Sequence, residues 1–111
     1  MQDISVSYTR SFQKAAAKLL SDSEFESLIE FVANFPESGA IIQGSGGLRK
    51  LRWAYGNTGK SGGARVIYYY FKNEFEAYLI DLYGKSKKES LSKAELKILV
   101  KLVEGIKHDR R

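Results

Sequence analysis

Lysine, arginine, glutamate and tyrosine are the side chains this sequence keeps for chemistry on a substrate. There is no cysteine, so disulfides, thiolate metal sites and sulfur nucleophiles are excluded. The one histidine, His108, sits in a terminal Lys107-His108-Asp109-Arg110-Arg111 run, and no mechanism needing two imidazoles can be built. No Ser-His-Asp set and no acidic pair at a signature spacing is present. Asp81 stands alone in an apolar stretch and reads as a local structural residue. A set of ammonium and guanidinium groups can stabilise a phosphorane-like transition state by charge, and an ammonium can supply a proton. The same groups can equally do no more than bind RNA phosphates. No metal site is expected.

The cations are unevenly placed. Up to Leu48 the chain has three basic residues against six acidic ones; from Arg49 onward it has fifteen against seven. The basic part begins with Arg49, Lys50 and Arg52, then adds Lys60, Arg65, Lys85, Lys87 and Lys88. If the elements carrying them are neighbours, they form a surface patch suited to phosphate backbones or an acidic protein. Lys93, Lys97 and Lys101 recur every four residues and read as a solvated helical stripe that could also meet an anion. Two glycine-rich segments, 44–47 and 56–63, fail the phosphate-loop spacing, and the second joins two strands where that loop requires a helix. They read as flexible connections, with Lys60 near a loop tip.

The elements that must position these groups follow from periodicity. Ile4, Val6 and Tyr8 alternate as a short strand. Phe12, Ala15, Ala16 and Leu19 share a helical face, and Ser21 with Glu24 has the spacing of a capping box that starts a second helix ending before Pro36. Ile41-Ile42 suggests a very short extended piece. Residues 48–55 form a strand, with Arg49, Leu51 and Trp53 on one side and Lys50 and Arg52 on the other. Trp53 then belongs to the core and the basic pair to the open side. Residues 64–71, rich in β-branched and aromatic types, pair with residues 75–83 as an antiparallel hairpin. Either Arg65, Ile67 and Tyr69 or Val66, Tyr68 and Tyr70 must face the helices, and Arg65 reads as a solvated cation at a strand start. Ser92 and Glu95 cap a last helix with Leu99, Leu102, Val103 and Ile106 on its apolar side. The helices should cover one face of an antiparallel sheet and leave the other partly open, with the last helix packed behind the basic surface.

The 111 residues, 43% apolar, suffice for one compact core, so a single domain over residues 1–111 is expected. No stretch approaches the roughly 20 apolar residues of a membrane span. Residues 1–10 lack the pattern of a secretory signal, and a cytoplasmic protein is expected.

Three segments carry a resemblance: Gly46-Gly47-Leu48-Arg49-Lys50-Leu51-Arg52, Gly62-Gly63-Ala64-Arg65-Val66-Ile67-Tyr68-Tyr69, and Leu82-Tyr83-Gly84-Lys85. In this order the sequence resembles the HigB-like branch of the RelE/ParE toxin superfamily, over about residues 40–105. The resemblance implies an α+β, RelE-like microbial RNase toxin fold of order β-α-α-β-β-β-α. It implies a ribosome-dependent mRNA endonuclease without cofactor or metal, in which the 2′-OH attacks the adjacent phosphorus in the ribosomal A site. Arg65 would neutralise the pentavalent intermediate, Lys50 would act as general base or acid, and Arg52 and Lys85 would complete the catalytic set. Arg49, Lys60, Lys87, Lys88 and Lys93 would bind RNA or the ribosome. The implied partners are mRNA, the 70S ribosome and a HigA-like helix-turn-helix antitoxin, with no membrane. Some family endonucleases carry a tyrosine near the start of the last helix; here that stretch is Glu89-Ser90-Leu91-Ser92, and Tyr83 lies several residues before it. A ParE-like toxin acting on DNA gyrase and a noncatalytic basic binding domain are the alternatives.

Overall fold

The computed structural model describes residues 3–54, 63–84 and 90–110. Its elements run β1 (Ser5–Tyr8), α1 (Arg10–Leu19), α2 (Asp22–Asn34), β2 (Ala40–Ile41), β3 (Arg49–Trp53), β4 (Ala64–Phe71), a single 3-10 turn (Lys72–Glu74), β5 (Glu76–Gly84) and α3 (Lys93–Asp109). The capping residues do what their spacing predicts. The Ser21 and Ser92 hydroxyls accept from the backbone N–H of Glu24 and Glu95, and each glutamate reaches back to the serine N–H. Thr9 starts α1 by accepting from the Phe12 N–H while its hydroxyl donates to the Ile80 carbonyl at 2.8 Å, which ties the helix start to β5. Such caps each contribute about 1 kcal/mol.

The five strands form one sheet in the order β1-β5-β4-β3-β2. It is mixed rather than wholly antiparallel, because β1 lies parallel to β5. The two helices after β1 carry the chain to β2 at the far edge of the sheet, and the strands β2 to β5 return step by step until β5 lies beside β1 and runs in the same direction. A bulge at Ile80 puts one extra residue on β5 between the pairs Ile67–Asp81 and Tyr68–Leu79. The Asp81 carboxylate accepts from the Leu82 N–H at 2.9 Å beside this bulge, a local structural role for that isolated acid.

Both faces of the sheet are covered, which corrects the one-sided arrangement. The α1–α2 pair packs Phe12, Ala16, Leu20, Leu28 and Val32 on Ala64, Val66, Tyr68, Ala77, Leu79 and Leu82. On the opposite face α3 packs Val103, Leu96, Leu99 and Val100 against Leu48, Ile67, Ile80 and Tyr83. The alternation of β4 therefore has two buried sides, and each of its two residue sets faces helices. This explains why Ile67 and Tyr68, adjacent in sequence, are both fully buried. The last helix lies on the same face as Lys50, not behind it.

Tyr68 fixes the route from α2 into the sheet. Its hydroxyl donates to the Pro36 carbonyl and accepts from the Gly39 N–H, both at 2.9 Å. A Cβ on Gly39 would stand 2.8 Å from the Tyr68 ring, so only glycine fits there. Tyr68→Phe keeps the packing and leaves that carbonyl and N–H without a partner. We expect a loss of about 1–3 kcal/mol, read as a lowered denaturant midpoint at unchanged slope.

The far end of α3 is anchored by Arg110. Its guanidinium reaches Glu74 at 2.5 Å and Glu76 at 2.7 Å and lies 4.2 Å from the centre of the Phe71 ring. Burial raises the Glu76 carboxyl, but hydrogen bonds from Ser7 and Arg110, with the Arg110 charge, outweigh it and hold its pKa below the ordinary 4.5. A carboxyl depressed by folding stabilises the fold above its unfolded pKa, and that contribution disappears as pH falls through the folded value. Glu76→Gln should therefore lower the melting temperature at pH 7 and converge with the parent as the medium is acidified below about pH 4.5. A melting gap independent of pH would contradict this linkage.

Candidate functional site

Strand pairing sets the candidate residues in rows. Trp53, Ala64 and Gly84 form the terminal row of β3, β4 and β5; Arg52, Arg65 and Tyr83 form the next; Leu51, Val66 and Leu82 come third, on the opposite face; and Lys50, Ile67 and Asp81 form the fourth. Within each row the side chains share a face, because the pleat alternates with period two. Lys50, Arg52, Arg65 and Tyr83 are thus brought together on the α3 face. Strand geometry puts the Lys50 and Arg65 Cα atoms about 8 Å apart, well within the reach of two long side chains around one phosphate.

Exposure falls steeply along this set. Arg52 is exposed and Lys50 half-buried. Arg65 is only 4% exposed, and its Nη1 donates to the Ala64 carbonyl at 3.3 Å. The expectation of a solvated arginine is corrected here: Arg65 sits between two strands in mid-row, where an edge position would have left it wet. Tyr83, next to it, is 6% exposed. Burial pushes the Tyr83 phenol above its ordinary value; the Arg65 charge opposes this, and Asp81 and Glu95 add to it. The hydroxyl therefore stays protonated at neutral pH and can act as a hydrogen-bond donor. Sequence position set Tyr83 aside because it precedes the last helix by several residues. Its register opposite Arg65 was the signal that could have found it.

Lys50 also lines a cleft of about 90 Å³ with Ile42, Ser90, Leu91 and Leu96, at the start of α3. Leu96 is shared with a neighbouring cleft of about 360 Å³, bordered by Gly44, Lys93, Lys97 and Val100. Lys93 therefore lies one cleft away from Lys50. The wall between α3 and β3 is the 42–48 turn, which Ser45 organises: its hydroxyl donates to the Ile42 carbonyl at 2.6 Å and accepts from the Leu48 N–H at 3.0 Å. Gly47 follows at φ +115°, where a Cβ would stand 2.9 Å from the Tyr69 ring.

Arg49 is not brought to this face. Its Nη1 donates to the Glu37 and Gly39 carbonyls at 2.9 and 2.8 Å, and it pairs with the Glu37 carboxylate at 3.7 Å. It braces the same α2–β2 connection that Tyr68, its register partner on β4, also holds. Trp53 packs into the α1–α2 core with its ring centre 5.5 Å from that of Phe31, as its alternation with Arg52 predicts. Lys60, Lys85, Lys87 and Lys88 lie outside the described residues. Among the described residues no group of three His, Cys, Asp or Glu could hold a metal ion, and no helix is long and apolar enough to cross a membrane.

The fold is shared with a solved toxin structure. An arginine double mutant of the E. coli toxin RelE in the free state shares the fold, with a TM-score of 0.57 at 17% sequence identity, over 79% of this chain and 90% of that chain. The family model for the RelE toxin of the RelE/RelB toxin–antitoxin system matches residues 4–109. The match spans both helical layers, all five strands and the row of Arg52, Arg65 and Tyr83, and on it the chain belongs to the RelE toxin family.

Proposed function

We infer that this toxin is a ribosome-dependent mRNA endonuclease that arrests translation by cutting mRNA in the ribosomal A site. The observation that carries the reading is the Arg52–Arg65–Tyr83 row with Lys50 on the same face. The reaction needs no metal. The 2′-OH beside the scissile bond loses its proton and attacks the adjacent phosphorus; the P–O5′ bond breaks, leaving a 2′,3′-cyclic phosphate and a 5′-OH. Lys50 exchanges the proton at the 2′-oxygen or the leaving oxygen. Arg65 holds two non-bridging oxygens with parallel N–H donors, and its dry setting strengthens that attraction as charge builds up. Tyr83 donates beside it. Arg52 and Lys85 neutralise phosphate charge. Lys60, Lys87, Lys88 and Lys93 hold the RNA and ribosome, whereas Arg49, on the α1–α2 face, braces the α2–β2 connection instead.

The working partners are a translating 70S ribosome, its mRNA and an antitoxin of the HigA-like helix-turn-helix kind, which places the toxin in the cytoplasm. The deciding experiment is to induce the protein in a bacterial host and map RNA 5′ ends. Cuts inside translated frames, with 5′-OH ends downstream and cyclic phosphate upstream, are expected. Intact mRNA together with covalent gyrase–DNA adducts would assign the ParE-like target instead.

A further inference from the structure

Helix α3 is apolar on more sides than the sheet needs. Its inner side, Leu96, Leu99 and Val103, packs on the sheet. Leu102, which the sequence pattern placed in the core, is 39% exposed, and Ile98 is 67% exposed. Together with the exposed Ala94 and Gly105 they line the outer side at positions i, i+4, i+8 and i+11. At 100° per residue this outer seam is centred about 140° away from the inner one and runs about 16 Å, three turns of helix. An amphipathic helix of a small domain normally shows one such stripe.

Gly105 sharpens the point. A glycine inside a helix costs about 1 kcal/mol relative to alanine. A Cβ built at Gly105 meets nothing within 4 Å, so the described residues give no packing reason for glycine there. A missing side chain on an apolar helix face lets a second helix approach closely.

The charges bordering the seam select the occupant. Lys93, Lys97 and Lys101 run along one edge, which Glu104 and His108 continue toward the C-terminus; Glu95 and Ile106 lie along the other, and the exposed Asp109 closes the seam one turn past Gly105. In an antiparallel pairing with a second copy the lysine edges would face each other, and two chains of net charge +5 would be brought together. An RNA would find the lysines but leave Ile98 and Leu102 uncovered. A helix with an apolar stripe and carboxylates along one border satisfies both features. We propose that the outer seam of α3, Ala94-Ile98-Leu102-Gly105 with Lys97 and Lys101 beside it, is the docking surface for an acidic amphipathic helix of the antitoxin. The proposal rests on the toxin–antitoxin reading and adds to it a place and a partner chemistry.

The test uses the full-length chain and the small protein encoded beside its gene. Gly105→Leu should keep or raise the melting temperature, because leucine is the better helix former. It should nevertheless weaken the complex about thirty-fold or more in titration calorimetry, since it fills the point of closest approach. Ile98→Asp should do the same. Lys97→Glu with Lys101→Glu should weaken the complex and remove most of its salt dependence. A photo-crosslinking benzophenone side chain at position 98 should capture the antitoxin, and the same group at Phe35, exposed on α2's end, should not. A tight complex that relieves growth arrest, yet binds Gly105→Leu and Ile98→Asp within threefold of the parent, overturns this surface and leaves the module reading standing. Crosslinks from position 98 into a second copy of the chain, or a Lys97/Lys101 reversal that abolishes ribosome binding while sparing the antitoxin, overturn the choice of occupant. A neighbouring protein that neither binds nor relieves arrest removes the module reading and this inference with it.

Discussion

The purified toxin should cut mRNA placed in the A site of programmed 70S ribosomes at least about a thousandfold faster than the same RNA free in solution. In-line attack by a 2′-hydroxyl requires the nucleophile, phosphorus and leaving oxygen to be aligned, and holding that geometry can supply several kcal/mol of the barrier. Among the described residues, little can impose it. Among the proposed catalytic groups that the structure describes, only Arg52 is exposed; Lys50 is half-buried, and Arg65 and Tyr83 are buried. The nearby clefts are small or shallow, about 90 and 360 Å³. Among the described residues, a freely moving RNA would meet a charged rim and only these small clefts. On the proposed reading the ribosome supplies that geometry by fixing the mRNA codon, and the toxin then needs only to bring charge and a proton carrier. The measurement is a single-turnover time course on each substrate at the same enzyme concentration. Rates within about tenfold of one another would refute ribosome dependence while leaving endonuclease activity intact. Cleavage should also weaken steeply with added salt, since the phosphate contacts release counterions.

How far the sequence reaches into this site depends on which physical signal each residue carries. Capping boxes are local, and Ser21/Glu24 and Ser92/Glu95 are legible from spacing alone. Alternation along β3 is local too, and it separates Trp53 from Lys50 and Arg52 correctly. Arg49 shows the limit of that signal. Alternation puts it on the Trp53 side, but its partners Glu37 and Gly39 are ten or more residues away and no periodicity names them. The two-sided covering of β4 was hidden for a similar reason. A strand buried on both faces reads as a continuous apolar run, and Val66 to Phe71 is such a run, although its tyrosines suggested a half-open surface. The parallel placement of β1 and the bulge at Ile80 depend on how distant strands meet, which no local pattern encodes. That same bulge keeps Tyr83 opposite Arg65.

Arg65→Ala should lower the single-turnover rate on stalled ribosomes by roughly 100-fold or more, a loss of about 2.7 kcal/mol in transition-state stabilisation. Its burial changes what the same substitution does to the fold. A solvated arginine could be removed almost without cost, but Arg65 is 4% exposed between the strands carrying Arg52 and Tyr83. Truncation leaves a gap there, and a stability loss of about 1–3 kcal/mol is expected. Rate and stability must therefore be read separately: rates are taken at a temperature where melting curves show both proteins folded. Arg65→Lys keeps a cation and part of the volume, so it should recover much of the stability and only part of the rate, because one ammonium cannot present two parallel donors to a phosphate. Ribosome binding should weaken far less than cleavage in both variants, since Lys50, Arg52 and Lys93 still meet phosphates. The burial also bears on Tyr83. Removing the Arg65 charge takes away the influence that opposes the upward shift of its phenol, so the hydroxyl stays protonated and Tyr83→Phe in the Arg65→Ala background tests it as a donor alone. If Arg65→Lys retains the full rate, point charge suffices and the two-donor geometry is wrong. If a folded Arg65→Ala protein cleaves within about threefold of the parent, the arginine serves the sheet and the charge in the transition state must be met by Lys50 and Arg52.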